Sequence, residues 1–61
     1  MSIIETLMAR DGLTKHEAEI SLQIAKDAME PAIEAGDIEE CEGILMFELG
    51  LEPDYLMEIL F

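Results

Sequence analysis

The sequence has few of the residues on which catalysis and cross-linking depend. It contains one cysteine, one histidine and no tryptophan. It can therefore form no internal disulfide, and it has no pair of cysteines or of histidines at the spacing of a metal site. His16 has no second imidazole or thiolate at helical spacing. Cys41 lies between Glu40 and Glu42, whose negative charges raise the pKa of a thiol and disfavour a nucleophile. Because glycine-rich phosphate loops are absent as well, we expect no cofactor, no metal site and no enzyme activity.

Positive charge is also scarce, since only Arg10, Lys15 and Lys26 stand against 15 acidic residues, and the formal net charge is -12. A field of this sign repels phosphate backbones and anionic lipids, so we expect no direct binding to nucleic acid or to a membrane. Acidic pairs such as Asp54 with Glu58 lack the pattern of a calcium loop and are interpreted as solvated surface. With no signal-peptide pattern and no long apolar run, the sequence predicts a cytoplasmic protein.

Apolar residues, by contrast, are abundant. They make up 51% of the chain and are mostly Ile, Leu, Met and Ala, since Phe47, Tyr55 and Phe61 are the only aromatic residues. A 61-residue chain has little interior in which to enclose so many apolar side chains. The surplus predicts a homodimer, or a surface that another protein covers.

Four helices are predicted from the residues that begin and end them. Three starts carry a capping box, in which a side-chain oxygen and a carboxylate three residues later satisfy free amides: Ser2 with Glu5, Thr14 with Glu17, and Asp37 with Glu40. Three glycines stand where a helix ends in a left-handed residue: Gly12, Gly36 and Gly50. Pro53 suits the first position of a fourth helix. The prediction is an all-α bundle in a single domain, residues 1–61, with helices at about 3–11, 15–35, 38–49 and 53–60.

The two longer helices are expected to carry the core. In helix two the inward stripe is Ala18, Leu22, Ala25, Met29 and Ala32, widened on its flanks by Ile20, Ile24, Ala28 and Ile33. In helix three it is Ile38, Cys41, Leu45 and Leu49. Pro31 removes an amide inside helix two, and we expect a kink or a break there.

Helix four is too short to be stable alone and must dock on the other helices. Its apolar residues are our candidates for contact with a partner: Tyr55, Leu56, Ile59, Leu60 and Phe61.

Residues 35–55 resemble the second half of a tetratricopeptide repeat. The positions that match are Gly36, Ile38, Cys41, Leu45 and Pro53. The resemblance implies a helical hairpin and not a peptide-binding array, because about three repeats are needed to stack and one is present.

The chain as a whole is similar to small, acidic, helical proteins encoded by phages and prophages of Gram-positive bacteria. The similarity is carried by residues 10–14, Arg-Asp-Gly-Leu-Thr, and by residues 50–56, Gly-Leu-Glu-Pro-Asp-Tyr-Leu. It implies a phage or prophage setting and no particular activity.

Three functions are compatible with these features. The leading hypothesis is a non-catalytic protein-protein interaction module that acts through an apolar helical surface. An acidic nucleic-acid mimic that blocks a host DNA-binding protein is the second hypothesis, suggested by the net charge. A structural or regulatory piece of a larger assembly is the third.

Overall fold

The computed structural model describes residues 2–60, and it confirms a small all-α bundle. Helix α1 spans Ile3–Asp11, α2 spans Lys15–Ala35 and α3 spans Ile38–Leu49. The fourth predicted helix is divided into a 3₁₀ turn, Pro53–Tyr55, and a short helix α4, Leu56–Leu60. No strand occurs among the described residues.

Two of the predicted capping boxes close as expected. The Ser2 hydroxyl accepts from the Glu5 amide at 3.1 Å, and the Glu5 side chain reaches back to the Ser2 amide. The Thr14 amide donates to the Glu17 carboxylate at 2.9 Å, while the Thr14 hydroxyl accepts from the Glu17 amide. These reciprocal bonds satisfy amides that have no partner inside the helix, and they fix where α1 and α2 begin.

The third capping box is only half formed. The Asp37 carboxylate accepts from the Glu40 amide at 3.1 Å, but the Glu40 side chain does not bond back. The Asp37 amide is already used, because it donates to the Ala32 carbonyl at 2.8 Å and closes the end of α2. Gly36, at a φ of 71°, makes this tight connection with no Cβ to strain the backbone. Helices α2 and α3 therefore form a hairpin joined by two residues.

Helix α2 continues through Pro31 to Ala35, so the break that the sequence allowed does not occur. Its buried face is made mostly of small side chains. The core of the molecule consists of Ile3, Leu7, Ala18, Ala25, Met29, Ala32, Cys41, Leu45, Leu49, Leu51 and Leu56.

The predicted inward stripes were too wide. On α2, Ile20 and Ile24 are 48% and 55% exposed, and Ile33 is exposed as well. On α3, Ile38 is 49% exposed instead of buried. A bundle this small has too few helices to cover both flanks of α2. Ile38 is the first residue of α3, and it borders an open groove instead of packing beneath a neighbouring helix.

Within the part of the chain that the structure describes, no helix combines the length and the apolar character needed to cross a membrane.

Candidate functional site

The residues predicted to contact a partner lie together on one short segment, but they turn largely toward the body of the protein. Leu56 is only 4% exposed and belongs to the core. Tyr55, Ile59 and Leu60 are half-buried and pack against that core. Phe61 lies outside the described residues. The apolar surface of the molecule is therefore formed in large part by other side chains.

We call residues 51–60 the docked segment, because long-range contacts hold it on the rest of the chain. The Glu58 carboxylate accepts from the Ile3 amide at 2.8 Å, across 55 residues of sequence. Ile3 opens α1, where amides lack partners and the helix dipole favours a negative charge. Glu58 is exposed, as the sequence indicated, and it also caps α1 from a distance, which the sequence did not indicate.

Arg10 binds the end of α3, directly before the docked segment. Its guanidinium donates to the Leu49 carbonyl at 2.6 Å and to the Gly50 carbonyl at 3.0 Å, where α3 ends. Two further bonds of 2.8 Å join it to the Asp11 carboxylate. This hydrogen-bonded pair raises the pKa of Arg10 and lowers that of Asp11. Asp11 therefore orients Arg10 toward the free carbonyls at the end of α3.

An open groove of about 400 Å³ separates α3 from the docked segment. Its lining consists of Ile38, Glu42, Pro53, Asp54, Leu56, Met57 and Leu60. Leu56 joins the groove to the core, while Ile38 and Met57 remain 49% and 67% exposed. The docked segment is thus buried along one face and forms a wall of the groove with the other.

The charge around the groove has one sign. Glu42 and Asp54 contribute carboxylates to its lining, and no basic residue lines it. Arg10 is engaged with Asp11, and Lys15 and Lys26 lie on α2. An apolar surface flanked by acids recognises apolar groups that carry positive charge beside them.

Other exposed apolar side chains do not line this groove. Phe47 is 86% exposed on α3, and Ile20 and Ile24 form a short stripe along α2. Concave surfaces bury more of a ligand than convex ones do, so the groove is the best candidate for a binding site.

The residues with chemical reactivity are placed separately from the groove. Cys41 is buried, and that burial, assisted by the charges of Asp37, Glu40 and Glu42, raises the pKa of its thiol. The thiol therefore stays protonated at neutral pH. His16 is exposed in the first turn of α2. Among residues 2–60, no three His, Cys, Asp or Glu side chains converge as a metal site would require.

Of the groove lining, the sequence identified only Leu56 and Leu60 as candidates for contact with a partner, and it missed Ile38, Glu42, Pro53, Asp54 and Met57. The two exposed apolar residues among them are Ile38 and Met57. Ile38 shares the helical face of Cys41 and Leu45, and nothing local marks it as lying beyond the packed layer. Met57 follows the buried Leu56, so by helical geometry its side chain points about 100° away from the core. That turn of direction could have been predicted from the sequence.

Comparisons with protein-family models, with curated proteins and with solved structures found no match. The resemblances to phage proteins and to a tetratricopeptide repeat therefore stay predictions.

Proposed function

We propose that this protein is a non-catalytic interaction module that binds another protein through the groove between α3 and the docked segment. The observation that supports this most directly is the exposure of Ile38 and Met57 at an open, mostly apolar concavity. Apolar side chains that cluster at the surface of a small monomer typically mark an interaction site. The setting that we propose, on the sequence alone, is the cytoplasm of a bacterium that carries a phage or prophage.

The groove supports adaptable binding of modest strength. Met57 has an unbranched, polarisable side chain that fits differently shaped neighbours, a property common at promiscuous surfaces. Covering the exposed parts of Ile38 and Met57 contributes on the order of 1 kcal/mol each, because fully burying such a side chain is worth about 1.5–3 kcal/mol. Further contacts must come from Glu42 and Asp54, the two charged residues of the lining, which we call the groove edges.

The homodimer expected from the composition stays a prediction, and it needs a surface of its own. Two copies joined groove to groove would bring Glu42 and Asp54 close to the same carboxylates of the partner copy, at an electrostatic cost. The stripe of Ile20 and Ile24 on α2 is exposed and lies outside the groove lining. We therefore assign the predicted dimer contact to α2 and the heterologous contact to the groove.

Two double variants test this assignment, and the side chains that they replace are exposed to a similar extent. Ile38→Ser with Met57→Ser changes the groove, whereas Ile20→Ser with Ile24→Ser changes α2 by the same number of apolar side chains. Affinity capture after cross-linking in the native host should recover a partner with the wild-type chain and with the α2 variant. The groove variant should lose it, because its apolar contacts are gone.

The same variants test the dimer by light scattering over a wide range of concentration. The α2 variant should lower the solution mass, and the groove variant should leave it unchanged. If the α2 variant loses the captured partner while the groove variant keeps it, the groove is not the binding site and the proposal fails.

An acidic nucleic-acid mimic is the second proposal. It is supported by the shortage of ion pairs, since Arg10–Asp11 is the only one among the described residues. Some carboxylates cap helices, but most of the others accept no hydrogen bond from a described residue and are left for a basic partner. A mimic would bind with a steep dependence on salt, as phosphate arrays do, and would tolerate both serine variants. A structural or regulatory role in a larger assembly would use the groove in the same way as the interaction module.

A further inference from the structure

We infer that the occupant of the groove is a basic amphipathic helix, with apolar side chains that enter between α3 and the docked segment and Lys or Arg side chains that meet Glu42 and Asp54. This inference rests on the proposed function and adds the chemical class of the partner. It follows from the shape of the groove and from the charges that flank it.

The shape suits a helix because both walls of the groove are themselves helical. Ile38 and Glu42 lie one turn apart on α3. On the opposite wall, Pro53 lies in the 3₁₀ turn and Met57 and Leu60 lie in α4. A third helix placed between two others can set its side chains into the spaces between theirs. Helices that bind in this way present apolar anchors at positions i, i+3 or i+4, and i+7.

Charge selects among the possible occupants. A second copy of this chain carries the same net charge of -12, and its own groove repeats the carboxylates of Glu42 and Asp54. Lipid surfaces and nucleic acids that carry negative charge are repelled for the same reason. An apolar peptide without charge gains nothing from the carboxylates at the groove edges. A basic amphipathic helix gains both from these carboxylates and from the apolar lining.

Three peptides of equal length test the inference with the full chain. The first carries leucines at helical anchor positions and lysines or arginines beside them. The second keeps the leucines and replaces every basic residue by glutamate, and the third keeps the basic residues and replaces the leucines by serine. Fluorescence anisotropy should show binding of the first peptide, with the other two at least about tenfold weaker, a difference of roughly 1.4 kcal/mol.

Protein variants locate the charge effect. Glu42→Gln with Asp54→Asn should weaken the first peptide about three- to tenfold, since each exposed ion pair is worth about 0.2–1 kcal/mol. Glu30→Gln with Glu34→Gln raises the net charge by the same amount on α2, outside the groove lining, and should leave the affinity unchanged. High salt should narrow the gap between the two variants because it screens exposed charges.

Several results would overturn the inference, and they separate it from the proposed function. If the acidic peptide binds as tightly as the basic one and the Ile38→Ser/Met57→Ser variant releases both, the groove binds but the charge assignment is wrong. If Glu42→Gln/Asp54→Asn and Glu30→Gln/Glu34→Gln weaken peptide binding equally, the electrostatic attraction is diffuse and the groove edges have no special role. If none of the three peptides binds, the inference fails, while the capture experiment still decides the proposed function.

Discussion

Two regions of this molecule are built by different means. Residues 2–50, the body, form three helices that start at local caps and end in left-handed glycines. The docked segment, residues 51–60, has a 3₁₀ turn without a side-chain cap and a helix of five residues. It is held instead by Leu56 in the core and by Glu58 on the first amide of α1.

The comparison teaches where local sequence signals are sufficient. A helix of five residues gains little from its own hydrogen bonds, so the docked segment depends on contacts that are remote in sequence. The groove lies between the two regions, with α3 as one wall and the docked segment as the other. Whatever loosens the docked segment should therefore weaken binding in the groove as well.

The largest effect is expected from Leu56→Ala. Removing a buried leucine costs about 2–5 kcal/mol in the free energy of unfolding, a large share of the stability of so small a domain. Met57→Ala, at the exposed neighbouring position, should change that free energy by less than about 0.5 kcal/mol. Urea denaturation followed by circular dichroism measures both variants. Equal losses in the two would show that the docked segment is not packed on the body.

A smaller loss is expected from Glu58→Ala, because the first turn of α1 then loses its remote cap. Losing such a cap costs about 1 kcal/mol in the free energy of unfolding. Asp54→Ala is the control, because the Asp54 carboxylate lies in the same segment but accepts no hydrogen bond from the described residues. This variant should lower the free energy of unfolding by less than Glu58→Ala does. Amide hydrogen exchange should be faster at Ile3 in the Glu58 variant. Unchanged exchange at Ile3 would contradict the capping role.

Helix bounds and capping were predictable because the residues responsible are neighbours in sequence. Asp37 shows the limit, since its half-formed capping box follows from a bond between its amide and the end of α2. Glu58 and Arg10 could not be assigned, because their partners lie 39 to 55 residues away and nothing local indicates the pairing. The exposure of Ile38 was missed for the same reason, because it depends on where the docked segment lies.

Gly43→Ala should stabilise the body. Gly43 lies inside α3, and a Cβ added there would meet no atom within 4 Å outside the backbone of its own helix. Alanine should raise the free energy of unfolding by about 0.5–1 kcal/mol because it favours the helix. Gly36→Ala is the matched control and should destabilise, since its φ of 71° strains a residue with a side chain. A loss of stability in the Gly43 variant would indicate a contact at this position.

The smallest effect concerns pH and the capping box of α2. Hydrogen bonds from the amide and the hydroxyl of Thr14 lower the pKa of Glu17 below its ordinary value of 4.5. The folded state therefore favours the ionised carboxylate, and this contribution to stability is fully present above pH 4.5 and is lost as pH falls through the folded pKa. Urea midpoints measured from neutral pH to about pH 3 should fall less for Glu17→Gln than for the wild-type chain. An identical fall in the two proteins would contradict this role.

The central claim is that the groove between α3 and the docked segment binds a basic amphipathic helix. A titration of the ¹⁵N-labelled full chain with that peptide, followed by NMR, tests it most directly. The account predicts that the largest amide shifts fall at Ile38, Glu42, Met57 and Leu60, with little change at Ile20 and Ile24. Shifts concentrated on α2, or spread evenly over the acidic surface, would contradict it.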